Sequence, residues 1–521
     1  MPVMSQRGIT VSRRLRFRED GRVIDIDAIL LVGAAVLIAA IIAARIGSRV
    51  GLPSLLLFLV LGMVMGESGF GIQFEDADLA QALGFAALVV ILAEGGLTTK
   101  WGDIKSSVGL ATLLATAGIA ISVGLMTLFG YYVLGMDLWI AVLFGAVTSP
   151  TDSAAVFSVL RNVPIPHRLR GVLEAESGLN DAPTVLLVSV ASSLAIGHEP
   201  AGGALGVVGL IVLELVGGLA VGAGLGWLGV QGMRRVALPS SGLYPMAALV
   251  WAVLAYGSAA MLHLSGFAAV YVCALALGNA QLPHRIATRS FVEGIGWIAQ
   301  IGLFVMLGLL ASPDRIDSER VLVALAGGLF LTLIARPVSV LATAIWFRLP
   351  VREQVFLSWA GLRGVVPIVL TTIPLAQRVD GAEFLFDVVL VFVIVFTFVQ
   401  APTLPLAARR LGLTDDESAR DVEVEAAPLD RISADLLQVR IPEKSRLAGV
   451  EVGELRLPAH TLVSLIIRDG HPFSPERHER IKIGDELLVV TPTAHRERTE
   501  ARLREVGRGG RLARWRTRSD E

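Results

Sequence analysis

Apolar stretches, each about as long as a membrane-spanning helix, follow one another from residue 28 to residue 408. About 20 apolar residues in a helix cross a bilayer core, and on that measure the chain has thirteen predicted spans. They lie at about 28–44, 53–69, 79–97, 108–134, 138–159, 171–196, 203–231, 243–262, 265–280, 290–311, 321–346, 354–375 and 384–408. The pattern predicts an α-helical polytopic membrane protein with its membrane domain over residues 28–408.

Basic residues are distributed unevenly between the two sides of this predicted bundle. Connections after odd-numbered spans, with the segment after span 13, carry 15 Lys or Arg residues, against 3 in the even-numbered connections. Basic loops stay in the cytoplasm, so we expect a plasma-membrane protein with a cytoplasmic C-terminus and an N-terminus on the other side. Six arginines in residues 1–22 oppose that N-terminal placement. We therefore expect either that the native chain starts after part of the basic segment 1–27 or that the first span inserts differently.

Composition supports the membrane assignment and excludes several classes of protein. The 521 residues are 54% hydrophobic and 17% charged, whereas soluble domains have about 25% charged residues. A net charge of −1 excludes a strongly basic nucleic-acid-binding protein. The single cysteine, Cys273, excludes an intramolecular disulfide and a CxxC site. The sequence indicates no cofactor.

Two of the spans contain helix-breaking sequences. Span 5 carries Pro150 between Thr148 and Asp152, and span 12 carries Arg363 and Pro367. Non-helical backbone inside a membrane is tolerated where it lines a cavity, and transporters place such breaks at matching positions of inverted repeats. If spans 1–6 and 8–13 are the repeats, the two breaks are equivalent. The pattern therefore predicts a transporter built from two inverted six-helix repeats with broken helices 5 and 12.

Span 6 carries the densest group of polar residues. At 100° per residue, Ser177, Asn180 and Asp181 share one helical face, and they offer a hydroxyl, an amide oxygen and a carboxylate. These hard oxygen ligands suit a small cation. Glu176 points elsewhere, which favours a structural role with a basic partner. Glu174 is left open between function and structure, and the alternative for the whole group is that it only joins helices together.

Four segments together resemble the monovalent cation–proton antiporter family, in its NhaP-type branch. They are Glu94-Gly95-Gly96-Leu97, Thr151-Asp152, Glu176-Ser177-x-x-Asn180-Asp181 and Gly361-Leu362-Arg363-Gly364. The resemblance implies that Asp181 is the carboxylate for which proton and cation compete. It implies a cation site completed by Asp152, Ser177, Asn180, Glu94 and the carbonyl oxygen of Thr151, with no further metal. It also implies an ion pair between Glu176 and Arg336, with Arg363 at the break of span 12.

The same resemblance implies the type of exchange. Members with Asn before the Asp, as in Asn180-Asp181, resemble the electroneutral branch. Many sodium-selective relatives have Pro where this chain has Ser153, which weakens the case for sodium. We therefore expect a secondary active transporter, not an enzyme, that exchanges K⁺, or else Na⁺, for H⁺ by alternating access. One titratable carboxylate that binds either ion gives obligatory exchange, and Asn180 cannot titrate.

Two other functions are the alternatives to exchange. A regulated potassium channel would need a filter such as TVGYG, which the sequence lacks. An intramembrane aspartyl protease would use Asp152 and Asp181 as its catalytic pair, but it would leave Ser177, Asn180 and Glu94 without a role.

The chain after the last span has a different composition. Residues 409–430 are acidic and predict a linker, and residues 431–506 predict a small cytoplasmic α+β domain. Leu447-Ala448-Gly449, Leu455-Arg456-Leu457-Pro458 and Ile483-Gly484-Asp485 onward resemble the C-terminal half of the regulatory (TrkA-C or RCK-C) domains of potassium transport systems. That resemblance implies a homodimer and a small cytoplasmic ligand, and it favours potassium. Residues 507–521 predict a basic disordered tail that at most contacts anionic lipid.

Overall fold

A computed structural model of the chain describes residues 16–19, 22–50, 54–67, 69–72, 74, 76–160, 163, 165–198, 203–414, 423–429, 434–442 and 445–510. A hairpin of β1 (Arg16–Glu19) and β2 (Arg22–Asp25) comes first. The helices that follow are α1 (Ile26–Val50), α2 (Ser54–Met65), α3 (Ala77–Thr98), α4 (Val108–Tyr132), α5 (Leu138–Thr148), α6 (Ser153–Leu160), α7 (His167–Ala195), α8 (Gly203–Arg235), α9 (Leu243–Met261), α10 (Gly266–Asn279), α11 (Arg285–Leu310), α12 (Ser318–Phe347), α13 (Val351–Trp359), α14 (Val366–Ala376) and α15 (Ala382–Arg410).

The mostly helical membrane fold is confirmed. Each predicted span coincides with one of these helices, except that spans 5 and 12 each coincide with a pair. Among the described residues, eight helices are long and apolar enough to cross a membrane: α1, α3, α4, α8, α9, α11, α12 and α15. Four apolar helices are shorter, namely α2, α5, α10 and α14, and α7, which carries the polar residues of span 6, is in neither set. The exact number of thirteen spans stays a prediction.

The helices pack as two groups. One group contains α1, α2, α3 and α8 to α11, and the other contains α4 to α7 and α12 to α15. We call them the panel and the core group. Close helix approach in the panel depends on glycine: a Cβ at Gly308 of α11 would lie 2.8 Å from the Cα of Gly62 in α2. The groups meet where α14 packs on α3 and where α7 packs on α3, α8 and α10.

Irregular helix geometry occurs in pairs within the core group. The gap between α5 and α6 at residues 149–152 has a counterpart between α13 and α14 at residues 360–365. A π-helical turn at Leu114–Gly118 in α4 has a counterpart at Leu331–Ala335 in α12. The members of each pair lie seven predicted spans apart, which is the correspondence that two six-helix repeats and one linking helix would produce.

The C-terminal domain is a five-stranded antiparallel sheet with one helix. Its strands are β3 (Glu423–Leu429), β4 (Ala434–Arg440), β5 (Leu462–Arg468), β6 (His471–Phe473) and β7 (Glu486–Pro492), in the order β3-β4-β7-β5-β6. The helix α16 (Arg496–Gly509) buries Leu503 and Val506 in the core of the domain. Alternate residues of β4 and β7 face that core, as the period of two in their sequences requires.

Three boundaries in this region differ from those predicted from the sequence. Residues 423–429, assigned above to the acidic linker 409–430, form the edge strand β3, and α15 extends to Arg410. An edge strand tolerates charges and proline. The strand was therefore not recognisable from a sequence that contains Glu423, Glu425 and Pro428. The predicted disordered tail 507–521 begins inside α16, and its remainder from residue 511 lies outside the described residues.

Candidate functional site

The two interrupted helices bind each other at their breaks. The backbone N–H of Asp152 donates to the carbonyl oxygen of Leu362 at 2.8 Å. In return, Nε of Arg363 donates to the carbonyl oxygen of Thr148 at 3.2 Å. Within the second break, Nη1 of Arg363 donates to the carbonyl oxygen of Gly361. Helix ends leave carbonyl and N–H groups without partners, and each break supplies partners for the other.

Local sequence explains where the helices stop. Pro150 has no N–H to donate and lies buried in the first gap. Pro367 lies in the first turn of α14, where a missing N–H costs nothing. Gly364 lies so close to Asp152 that a Cβ there would collide with the Asp152 carboxylate. The first gap also holds the carboxylate: Oδ1 of Asp152 accepts from the N–H of Ala155 at 3.2 Å, in the first turn of α6.

Helix α7 fixes the first break from the side. The Nδ2 group of Asn180 donates to the carbonyl oxygen of Thr151 at 3.0 Å and to its hydroxyl at 3.1 Å. The hydroxyl of Ser177 accepts from the N–H of Ser153 at 3.2 Å. These contacts place Asp181, one residue after Asn180, beside the break.

A cavity of about 380 Å³ leads to this crossing from one end of the bundle. Five of the residues that the sequence assigns to the cation site line it: Asp181, Asp152, Thr151, Ser177 and Glu94. Asn180, the sixth, does not line the cavity, and its amide nitrogen donates to Thr151. Oδ1 of Asp181 is buried and has no hydrogen-bond partner within the described part of the chain. Asp181 therefore lines the cavity and keeps one buried carboxylate oxygen without a hydrogen-bond partner among the described residues.

Glu94 enters the cavity from the panel. It lies near the end of α3, and the carboxylate packs where Gly296 of α11 has no side chain, because a Cβ there would lie 2.8 Å from its carboxyl carbon. The cavity thus has acidic walls on both helix groups, with Glu94 on the panel and the two aspartates on the core group.

A buried ion pair lies behind the break, away from the cavity lining. Arg336 and Glu176 meet through two contacts, Nη1 to Oε1 at 2.7 Å and Nη2 to Oε2 at 2.9 Å, and both residues are about 2% exposed. The Thr151 hydroxyl donates to Glu176 at 3.3 Å. A bidentate pair of this kind fixes orientation as well as charge, so it holds α7 and α12 in register with the first gap.

The mouth of the cavity is ringed by charged side chains. They are Lys100, Asp103, Arg170, Glu174 and Arg289. The lining also includes Tyr271 of α10 and Gly178 of α7, which the sequence did not mark as site residues. Tyrosine is scarce in this chain, with 5 residues in all, so one in the middle of a short apolar span was the available signal.

The arrangement suits binding of one small cation or one proton. Carboxylate, hydroxyl and carbonyl oxygens converge at the end of the cavity, and such hard oxygen donors bind alkali and alkaline-earth ions rather than soft metals. Among the described residues, no group of three or more His, Cys, Asp or Glu side chains could hold a metal ion. A carboxylate with little access to water binds a proton more tightly, and a cation at the same oxygens would displace that proton.

Two family models match the chain. The sodium/hydrogen exchanger transmembrane model matches residues 34–410, and the TrkA-C domain model matches residues 436–504. Among solved structures, that of the sodium proton antiporter MjNhaP1 from Methanocaldococcus jannaschii at pH 8 aligns with a TM-score of 0.63 at 20% identity. It covers 73% of this chain and 100% of that chain, which shows a shared fold.

Curated relatives extend the similarity over most of the chain. The K(+)/H(+) antiporter NhaP of Alkalimonas amylolytica is 34% identical over 450 residues, covering 85% of this chain and 77% of its own. The K(+)/H(+) antiporter NhaP2 of Shewanella baltica strain OS223 is 30% identical, covering 89% and 81%. The Na(+)/H(+) antiporter NhaH of Halobacillus dabanensis is 28% identical, covering 69% and 92%. The chain therefore belongs to the sodium/hydrogen exchanger family, the cation–proton antiporters, and carries a C-terminal TrkA-C domain.

Proposed function

We propose that this protein exchanges K⁺ for H⁺, one for one, across the plasma membrane by alternating access, with Asp181 as the group that both ions compete for. The observation that carries the proposal is a cavity lined by Asp181, whose buried Oδ1 has no hydrogen-bond partner among the described residues, beside two interrupted helices.

The oxygen atoms around Asp181 support a shared binding site. Asp152, Thr151 and Ser177 line the same end of the cavity, and Glu94 faces them from the panel. When a cation occupies these oxygens, it favours the ionised form of Asp181 and the proton leaves. When the proton returns, the cation loses its main counter-charge. An ionised Asp181 with neither ion bound is costly in this buried position. Movement of the core group is therefore coupled to binding of one ion or the other at Asp181.

The relatives that share the C-terminal domain favour potassium as the transported cation. The relatives named K(+)/H(+) antiporters match over 450 and 470 residues, more than the membrane domain alone can supply. The relative named a Na(+)/H(+) antiporter matches over 385 residues, about the length of that domain. The likeness to K⁺-linked proteins therefore includes the TrkA-C region.

Asn180 supports electroneutral exchange. Its amide donates to Thr151 and cannot titrate, so Asp181 is the one carboxyl of this residue pair that exchanges a proton. One cation moved against one proton carries no net charge, and we expect the rate to be indifferent to membrane potential.

Location, assembly and regulation complete the proposal. The basic residues of the odd-numbered connections favour a cytoplasmic cavity mouth and C-terminal domain. The TrkA-C domain supports a homodimer whose exchange rate responds to a small cytoplasmic ligand. Comparing the cation dependence of the full chain with a variant that lacks residues 431–506 tests this regulation, and cross-linking in membranes tests the dimer.

Transport by purified protein in liposomes tests the exchange itself. A pH-sensitive dye in the lumen would report proton movement on addition of K⁺, Na⁺ or Li⁺ at constant ionic strength, with a potential set separately by a thiocyanate gradient. We expect K⁺ to give the largest response at any potential. Asp181→Asn should abolish it, whereas Asp78→Asn, the same change at an exposed position in the first turn of α3, should leave it intact.

Two results would contradict the proposal. Exchange that survives Asp181→Asn would remove Asp181 from its role, and absence of a dye response with every cation would reject exchange. A rate that rises with potential would reject the one-for-one stoichiometry alone.

A further inference from the structure

The route from the mouth of the cavity to Asp181 passes a second carboxylate. Glu174 lies on α7 seven residues before Asp181, which places it about 10.5 Å nearer the mouth and within about 20° of the same helical face. Both residues line the cavity. The direction of the helix therefore puts two carboxylates in sequence along the cavity.

The Glu174 carboxylate lies among charges without being paired. Its electrostatic neighbours are Arg170 on its own helix and Arg289 of α11. Lys100 and Asp103, at the short helical turn Trp101–Ile104 after α3, are the other two. Within the described residues, no hydrogen bond or ion pair holds it. Two of those cations have other partners, since Arg289 pairs with Glu293 at 2.9 Å and Arg170 lies over the ring of Phe157. Glu174 is thus open to a mobile cation.

Tyr271 of α10 places a hydroxyl between the two carboxylates. The residue is 5% exposed, lines the cavity and lies within electrostatic range of both Glu174 and Asp181. Its ring reaches α7 because Gly178 has no side chain, and a Cβ at position 178 would collide with that ring. The hydroxyl of Thr99 lies beside the phenol and donates to the carbonyl oxygen of Gly95 at 2.7 Å. In the described structure, the buried Tyr271 oxygen has no hydrogen-bond partner of normal geometry.

We propose that the Glu174 carboxylate and the Tyr271 hydroxyl form a mouth site, a second binding site at which a partly hydrated monovalent cation is held before it reaches Asp181. The inference rests on the proposed exchange function and adds a site to it. The carboxylate supplies charge, the phenol oxygen supplies one neutral ligand, and water in the cavity supplies the others. Because Tyr271 belongs to the panel and Glu174 to the core group, this site exists only while the two groups keep the arrangement seen here.

The mouth site has a kinetic signature that a structural role would lack. Everted membrane vesicles present the proposed cytoplasmic mouth to added K⁺, and the full-length protein is assayed there over a K⁺ series balanced with choline. Glu174→Gln should raise the KM for K⁺ by about five- to tenfold, and the maximal rate should fall by less than KM rises. Tyr271→Phe, which keeps the ring against Gly178, should raise KM by about two- to threefold.

The control is Glu383→Gln, the same change at an exposed position in the first turn of α15, which should leave KM unaltered. An unchanged KM in Glu174→Gln, with wild-type exchange intact, would overturn the mouth site and leave the exchange function standing. If Glu174→Gln does not reach the membrane, Tyr271→Phe decides, and a KM equal to that of the wild type would then overturn the proposal. Loss of exchange in the wild type would instead reject the function on which it rests.

Discussion

At the scale of single residues, the site contains a buried ion pair and, apart from it, an acidic residue that lines the cavity. Glu176 and Arg336 form an ion pair behind the break, whereas Asp181 lines the cavity and has one oxygen without a hydrogen-bond partner in the described structure. The two acidic residues are five positions apart on one helix, and the rotation of that helix alone sends them to different surroundings. Two acidic residues of one helix can therefore have different roles, with Glu176 in an ion pair and Asp181 in the proposed exchange site.

Replacing Glu176 should be costly because it leaves buried cations behind. Glu176→Gln would leave Arg336, and the nearby buried Arg363, without a counter-charge, and we expect a loss of about 3–5 kcal/mol in stability. Thermal unfolding of the purified protein would measure it as a lower Tm. The double variant Glu176→Gln/Arg336→Gln should recover part of the loss, and equal Tm values for the single variant and the wild type would show that the pair contributes nothing.

Gly364 should act on transport through Asp152. Because a Cβ there would displace the Asp152 carboxylate, Gly364→Ala is expected to slow exchange by about tenfold or more while the protein remains folded. Gly257→Ala in α9 is the matched control, since a Cβ at position 257 meets no atom within 4 Å. Exchange rates of the two variants, compared in liposomes, should differ widely. Equal rates would mean that the position of Asp152 does not limit transport.

At the scale of elements, the sequence revealed the breaks but not the helical irregularities beside them. Pro150, Asp152, Arg363 and Pro367 are out of place in apolar helices, so spans 5 and 12 could be recognised as interrupted. The π-helical turn Leu331–Ala335 has no such marker, because apolar residues fit an α-helix equally well. The hydrogen bond from the Asn180 amide to Thr151 could not be predicted either. Helical spacing gives the face on which a residue lies, but it does not show which of its atoms has a partner.

The C-terminal sheet depends on one ionic network at the end of β5. Arg468 donates to Asp485 at 2.8 and 2.9 Å and to Glu479 at 2.9 Å, and Asp485 is fully buried. Hydrogen bonds to Asp485 raise the pKa of the Arg468 guanidinium above its ordinary value. A raised pKa adds stability that is lost only as pH rises through the folded value, which for arginine lies far above neutral pH.

Replacing Asp485 should therefore weaken the domain at every neutral pH. Asp485→Asn removes the buried one of the two counter-charges of Arg468 and leaves Glu479 in place, and we expect the domain to lose about 2–3 kcal/mol. Limited proteolysis of the full-length protein would show faster cleavage within residues 434–510, to a similar degree at pH 6 and pH 8. The exposed substitution Asp469→Asn is the control, and unchanged cleavage in Asp485→Asn would remove the network from the stability of the sheet.

At the scale of the whole molecule, the two helix groups share the cavity and meet where α14 packs on α3 and where α7 packs on α3, α8 and α10. Glu94 and Tyr271 belong to the panel, and Asp152, Asp181 and Glu174 belong to the core group. Movement of one group past the other would therefore dismantle the cavity on one side and could rebuild it on the other. The contact of α14 with α3 is one of those at which such movement must slide.

Locking that contact should stop exchange. A Cβ at Gly84 of α3 would lie 3.1 Å from Cγ1 of Val369 in α14, so Gly84→Cys with Val369→Cys places two thiols within reach of a short cross-linker. Cys273 is buried and should not interfere. We expect cross-linking to abolish exchange and reduction to restore it, as followed with the lumen dye. Each single variant under the same treatment is the control, and full activity of the cross-linked pair would mean that these helices do not slide.

The π-helical turn in α12 makes chain length itself a determinant of the ion pair. A π turn contains one residue more than the α-helical turn it replaces, so every residue after it is rotated by about 100° relative to an uninterrupted helix. Arg336 follows this turn directly. Removing a single residue from Leu331–Ala335 would leave every side chain of the pair in the sequence yet turn the guanidinium away from Glu176. Insertions and deletions here should therefore be tolerated less well than substitutions of the same apolar residues.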